Sequence, residues 1–424
     1  MMARGATFDI DAAYSNPAGL AWGHEGFQLS LNFQKPWQNR DIEASVPGYL
    51  GSNFDQKYNG KASAPIVPAL FAAYKKDKIA LSAMIGIVGS GGFVKYEEGI
   101  PMFEVPLRAM LAQNKLMPGT YNYDSEMKGK QYIYGGQLNL TYQVDDNWSV
   151  AAGIRANYYD GYNRGHVVAD MQGADLINLQ LDCIQRGWGF APIVSANYHN
   201  GPLTIAARYE FRTKISTEND TQKLIVGMSG QDTDVKALAE QLGTEATVAA
   251  LTPSLGSMAQ KIEGYLPKEK TRYDMPSLLV AAVGYEFTDK LRATLEYHFF
   301  DDKHAKMAGD RQKELKNGTH EIVAGVEYDI NDKFTVSCGG QRTDYGLADG
   351  YQQNTSFACD SYSLGFGGAW NINEKIRLNA GYFMSIYSDY TTEPKAKIYD
   401  TPYTGTETYS RTNYVIGLGI DYKF

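Results

Sequence analysis

"GGQLNLTYQVDDNWSVAAGIRANYYDG", residues 135–161, alternates apolar and polar side chains, turns at Asp145-Asp146-Asn147, and alternates again. Two amphipathic strands joined by a short polar turn make a β-hairpin. The unit recurs along the chain. "GFAPIVSANYHNGPLTIAARYEFR" turns at His199-Asn200-Gly201-Pro202, where Asn-Gly is a strong hairpin signal. Further turns fall at Lys76-Asp77-Lys78, Thr288-Asp289-Lys290, Asn331-Asp332-Lys333 and Asn373-Glu374-Lys375. Six hairpins give twelve strands, and runs near 27–33 and 413–424 add one at each end, fourteen in all.

The alternation separates two faces. Leu203, Ile205, Ala207, Tyr209 and Phe211 oppose Thr204, Arg208, Glu210 and Arg212; Leu291, Ala293, Leu295, Tyr297 and Phe299 oppose Arg292, Thr294, Glu296 and His298. In the last run Tyr414, Ile416, Leu418, Ile420, Tyr422 and Phe424 share one face. A one-residue slip would exchange the faces, so the register is strongly specified. An even number of strands with short turns on one side predicts an all-β, fourteen-stranded antiparallel transmembrane barrel. A soluble sandwich would alternate in the same way, but the apolar face here ends repeatedly in Tyr, as an interfacial aromatic girdle does. The charged face is then the interior, where mixed Arg/Glu rows pair across strands and keep the wall hydrated.

Composition agrees. The 424 residues include 31 Tyr and 43 Gly and carry a formal charge of −8. No run approaches the ~18 consecutive apolar residues of a membrane helix, and the acidic balance gives no support for nucleic-acid binding. MMARGATFD at the start has no basic-then-apolar export pattern. Cys183, Cys338 and Cys359 fit no zinc or CxxC spacing and read as isolated thiols. No GxSxG, HExxH or P-loop occurs, and Gly89-Ser90-Gly91-Gly92 lacks the Lys-Ser/Thr that would bind phosphates. The expectation is no enzyme, no metal and no cofactor.

The longer connections mark the outer side. They fall near 37–62, 91–130, 162–186, 214–274, 305–318, 346–357 and 392–408. In the fourth, "DTDVKALAEQLG" predicts a helix capped by Asp232 or Thr233 and stopped by Gly243, carrying Leu238 and Leu242. Thr252-Pro253 then predicts a second helix start, followed by the stripe Leu255, Met258, Ile262, Leu266. The third loop contributes Leu176 and Leu179, and together these apolar residues are a candidate hydrophobic groove.

"AAYSNPAGLA", residues 12–21, resembles the Asn-Pro-Ala element of the FadL/TodX family of outer-membrane hydrophobic-compound transporters. "GPLTIAARYEFRTKI" and "MPSLLVAAVGYEF" are similar to family strands, and the aromatic ending at Phe424 resembles the signature by which the barrel-assembly machinery recognises such proteins. The resemblance implies a monomeric barrel in the bacterial outer membrane, closed by an N-terminal hatch. It implies passive uptake of long-chain fatty acids or similar hydrophobic molecules through an outer-loop groove, with lateral exit to lipid at a kinked third strand. Residues 1–25 map to the hatch, with Asn16, Pro17, Ala18 and Gly19 as its motif, and 26–424 to the barrel. Fifteen residues before Asn16 are few for a hatch, which is expected to be incomplete. Gly89, Gly91 and Gly92, ending the third strand, are the candidate kink. A porin for polar solutes and a surface-exposed binding or adhesion barrel stand as alternatives.

Overall fold

A computed structural model describes residues 2–64, 66–255 and 258–424, without the side chains of Ser90, Ser254 and Met258. Fourteen staves form one closed antiparallel wall. They are β1 (Gly26–Val46), β2 (Phe54–Ser63 and Val67–Lys76), β3 (Ile79–Tyr96), β4 (Asn122–Gln143), β5 (Trp148–Met171), β6 (Ala174–Asn200) and β7 (Leu203–Glu210 and Ser216–Met228). There follow β8 (Lys270–Arg272 and Leu278–Thr288), β9 (Leu291–Phe300), β10 (Thr319–Asp329), β11 (Phe334–Asp344), β12 (Ser361–Asn371), β13 (Ile376–Tyr387) and β14 (Thr406–Lys423). Each stave pairs with the next, and β1 closes on β14 in unbroken register from Gln28↔Lys423 to Ser45↔Thr406.

The short turns form by the chemistry that the sequence suggests. Asp145 accepts from the backbone N–H groups of Asn147 and Trp148, Asn331 from Lys333 and Phe334, and Asn373 from Lys375 and Ile376. These Asx turns reverse the chain within a few residues. At the seam the Phe424 N–H donates to the Phe27 carbonyl, and the two rings pack 5.0 Å apart.

Polarity is inverted relative to a water-soluble fold. Leu138, Phe190 and Leu418 are 64%, 61% and 60% exposed on the outer face. Arg155, Asn157, Asn197 and Glu210 are buried within. Exposed Trp37, Tyr134, Trp188, Tyr362 and Tyr414 ring the wall toward the long loops, and Tyr74, Tyr142, Trp148, Tyr328 and Trp370 toward the short turns. Such an outside suits hydrocarbon bounded by two interfaces. Among the described residues no helix is long and apolar enough to cross a membrane, so the strands carry the crossing.

The outer side differs from the sequence reading in several places. Segment 162–186 is not a loop: β5 and β6 continue as a hairpin to a two-residue turn at Gln172-Gly173, both with positive φ. Alternation of buried Val167, Ala169 and Ile177 keeps these strand ends paired beyond the girdle. Likewise β1 runs to Val46 and β2 starts at Phe54, so the first connection is 47–53 rather than 37–62. Between β3 and β4 stands α2 (Pro101–Gln113), preceded in the chain by the single turn α1 (Ala12–Ser15).

The fourth connection holds α3 (Val235–Leu242), α4 (Thr244–Leu255) and α5 (Met258–Glu263). The α3 cap is Asp234, whose carboxylate accepts from the Ala237 N–H; Asp232 and Thr233 precede it in a short strand, Gln231–Asp234, paired with β7. Gly243 ends α3 at φ 80°. Pro253 lies inside α4 near its end, not at a helix start. The three cysteines are free.

Leu138 lies on β4 midway between the girdle residues Tyr134 and Tyr142, and replacing it by Arg is expected to lower stability by about 2–4 kcal/mol. Arg at the rim position Tyr142 is expected to cost about 0–1 kcal/mol. Urea unfolding in phosphatidylcholine vesicles measures both.

Candidate solute pathway

Residues 2–25 fold into the barrel mouth on the short-turn side. Asn16 is buried and donates to Asn197 Oδ1 at 2.8 Å. The Pro17 carbonyl accepts from Thr141 at 2.7 Å; the Ala18 carbonyl accepts from Ser149 at 2.6 Å, and its N–H donates to Ser195 Oγ at 3.0 Å. The motif therefore lies against β4, β5 and β6. Pro17 has no N–H to leave unpaired, and its fixed φ suits the tight 3₁₀ turn Pro17–Trp22. Gly19 leaves no room for a side chain: a Cβ there would stand 2.4 Å from the Thr7 carbonyl oxygen.

The segment also reaches the far wall. Arg4 pairs with Asp9 and Asp11 at 2.7 Å and approaches Glu327 at 3.6 Å, while the Gly5 N–H donates to Glu296. The guanidinium groups of Arg155 and Arg208 lie 5.5 and 5.3 Å from the centre of the Tyr14 ring. Both cations are within cation–π reach of that ring, and Arg155 pairs with Glu210. Beside the segment lies a cavity of about 720 Å³, bounded by Arg4, Asp9, Glu296, Arg377 and Asp421 and by bare backbone at Gly365, Gly367, Gly381, Gly417 and Gly419.

The wall is interrupted between β2 and β3. Among the described residues their register stops at Ser63↔Phe93 and resumes at Ala69↔Gly86, so residues 87–91 have no register partner on β2. On its other side β3 pairs with β4 through two bulges, Val88 and Gly91 being the extra residues. Gly92 has φ +71°, a conformation open to glycine. The three glycines Gly89, Gly91 and Gly92 thus lie within β3, which continues to Tyr96, rather than at its end.

Pro68 of β2 borders the interruption and Pro36 of β1 stands opposite the break between the two halves of β2; neither has an N–H to donate. Pro65 lies outside the described residues. The Lys35 ammonium, on the lipid side between Phe33 and Trp37, donates to the Ala64 carbonyl at 2.9 Å. It supplies a donor to a backbone oxygen that lipid could not satisfy. A second cavity of about 300 Å³ opens here, lined by Gln38, Ala64, Val67, Val88, Gly91 and Asn413.

Apolar clusters lead from the outer loops toward this point. Leu107 and Leu111 of α2 pack with Tyr121, Val167 and Ile177, with Leu176 and Leu179 against them. Leu224, Val226, Val235, Leu251, Ala259 and Leu266 form the core of the fourth connection, with Leu179, Leu255 and Ile262 against it. Leu179 joins both clusters. Leu238 is half-buried and Leu242 is 52% exposed, and neither belongs to them. The Met258 side chain lies outside the described residues. Deeper, Ile133, Tyr159 and Ile215 pack with Tyr273, Met275 and Val88, the bulged residue of β3.

Burial pushes the Cys359 thiol up to about 12, leaving no thiolate near neutrality. Among the described residues no group of three or more His, Cys, Asp or Glu is placed to hold a metal ion.

A closed fourteen-stranded wall with an apolar outside, a polar inside and a chain segment folded into its mouth defines an outer-membrane β-barrel. No protein-family profile matches the chain, and no curated protein matches it in sequence. The fold is that of the FadL and TodX structures. A Pseudomonas aeruginosa FadL homologue is similar over 100% of this chain and 96% of its own, with TM-score 0.69 and 14% identity. The P. putida toluene transporter TodX is similar over 100% and 98%, with TM-score 0.61 and 11% identity. The Ralstonia pickettii toluene transporter TbuX is similar over 98% and 94%, with TM-score 0.56 and 13% identity.

Gly19→Ala is expected to displace the N-terminal segment while the wall stays folded. Trypsin cleavage at Arg4 in detergent should accelerate severalfold, with the heat-modifiable gel shift of the folded barrel unchanged.

Proposed function

We propose that this protein mediates passive uptake of hydrophobic small molecules across the bacterial outer membrane, as a monomer. The observation that supports the reading is the break in pairing between β2 and β3 with a cavity of about 300 Å³ beside it, which we read as a side opening toward lipid. A polar porin has no use for such an opening, and lipid penalises unpaired backbone. For a greasy solute it is an exit into hydrocarbon.

The other parts fit one route. The cluster around Leu176, Leu179, Leu255, Ile262 and Leu266 offers apolar surface to a solute arriving from outside. Burial there gains roughly 25 cal/mol per Å² removed from water. The patch around Ile133, Tyr159 and Ile215 continues inward to Val88. The N-terminal segment acts as a hatch, its Asn16–Gly19 motif serving as the anchor to the wall. It denies the solute a straight passage, so the side opening is the way out. Names of the similar structures, two of them toluene transporters, agree with a hydrophobic cargo. Assembly into the membrane uses the terminal strand that ends at Phe424.

Deleting Val88 and Gly91 together removes both bulges and keeps the inside–outside alternation of β3. The variant is expected to fold and to lose most of its transfer of a hydrophobic probe, such as toluene or oleate, into outer-membrane vesicles. Transfer unchanged in a folded deletion variant would overturn lateral exit. Replacing Leu255 and Ile262 by Asn is expected to slow uptake at low probe concentration more than at saturation. A large steady ion conductance of the wild type in planar bilayers would favour the porin reading instead.

A further inference from the structure

The break within β2 is bridged from β1. Between the register pairs Trp37↔Ser63 and Gln34↔Val67, two residues of β1 stand opposite three of β2, residues 64–66. Of the two, Pro36 has no N–H, and Lys35 supplies a donor from its side chain, the ammonium reaching the Ala64 carbonyl at 2.9 Å. Among the described residues neither Ala64 nor Ile66 has a register partner on β1 or β3. β1 adjoins β2 on the side away from β3, so this bond holds Ala64 on the far side of the interruption.

A lysine here runs against the rule for the outer face. Lys35 alternates with exposed Phe33 and Trp37, on a surface that otherwise favours apolar side chains. Its long stem packs along that surface while the charge finds a polar partner. Across the gap, residues 87–91 of β3 also have no register partner on β2. Two strand edges with unpaired backbone groups beside hydrocarbon are driven to join. The Ala64 carbonyl is an acceptor on one of those edges, and Lys35 occupies it.

We infer that Lys35 is the strut of the side opening: by engaging Ala64 from β1 it keeps the 64–66 stretch from zipping onto β3 and sealing the wall. The inference rests on the lateral-exit reading and adds the residue that sets the width of the exit. Lys35 lines neither of the two cavities described above, whereas Ala64 lines the smaller one. It is therefore a positioning residue, acting through the backbone of Ala64 and not through contact with the solute.

Lys35→Met keeps the length of the side chain and loses the donor; Lys35→Arg keeps a donor of similar reach. In transfer of toluene into outer-membrane vesicles, Lys35→Met is expected to be severalfold slower than the wild type and Lys35→Arg to keep most of the rate. Lys35→Leu should match Lys35→Met, which keeps the test open if one apolar variant does not fold. Combined with deletion of Val88 and Gly91, Lys35→Met should slow transfer no further, because both changes act on one opening. Nitroxides at Ile66→Cys, in the break of β2, and Ile85→Cys of β3 read the gap without any cargo. Both positions are exposed, and Cys338→Ser removes the exposed native thiol. Their separation should shorten in Lys35→Met and not in Lys35→Arg. An unchanged separation in Lys35→Met would overturn the strut alone. So would an unchanged rate in Lys35→Met when the bulge deletion is slow, or slowing that adds fully to that of the deletion. A folded bulge deletion that transfers at the wild-type rate would overturn lateral exit, and with it the role of the strut in transfer.

Discussion

Every backbone N–H and C=O that faces hydrocarbon needs a partner within the protein, and the rest of the structure follows from that requirement. It forces the strands into a closed wall and fixes β1 to β14 along its whole length. It also makes any lapse in the wall conspicuous. The lapse between β2 and β3 coincides with Pro36 and Pro68, which have no donor to lose, and with Lys35, which covers the Ala64 carbonyl from the lipid side. These features leave fewer backbone groups without a partner where the ladder lapses.

The inside obeys the opposite rule. Buried Asn, Ser, Thr and Arg side chains of the wall find partners on the N-terminal segment, whose own backbone would otherwise be short of them. Asn16 through Gly19 form a compact turn because Thr141, Ser149, Ser195 and Asn197 present groups at matching heights. Glycines on β12–β14 leave the cavity on the opposite side. One face of the lumen is thus bonded to the segment, and the other is kept open by absent side chains.

The stave count, the six short turns and the assignment of faces were legible because alternation with period two is a property of local sequence. The outer connections were harder. Beyond the girdle both faces of a strand meet water or loops, so the apolar–polar contrast fades and β5 and β6 resemble a loop from Tyr162 to Arg186. The apolar residues Leu176, Leu179, Leu255, Ile262 and Leu266 were visible, but Leu238 and Leu242, also expected in the groove, do not join the clusters, since only tertiary packing selects a side. Gly89, Gly91 and Gly92 drew notice as glycines. The prolines at 36 and 68 were the stronger sign of an interrupted ladder, because they remove donors from two adjacent staves. The Lys35–Ala64 contact had no local signature: the two residues meet only when β1 and β2 pair.

That closure has a kinetic side. The β1–β14 seam joins the two ends of the chain, so its contacts have the greatest sequence separation in the molecule and the largest loop-closure entropy to overcome. Every other neighbouring pair of staves is consecutive in the chain. The Phe27–Phe424 ring contact and the Phe424 N–H bond sit at one end of this seam. They form a natural starting point for zippering, after which each further pair adds little entropy cost. Loss of this aromatic clasp therefore bears more on how fast the cylinder seals than on how firmly it holds once sealed.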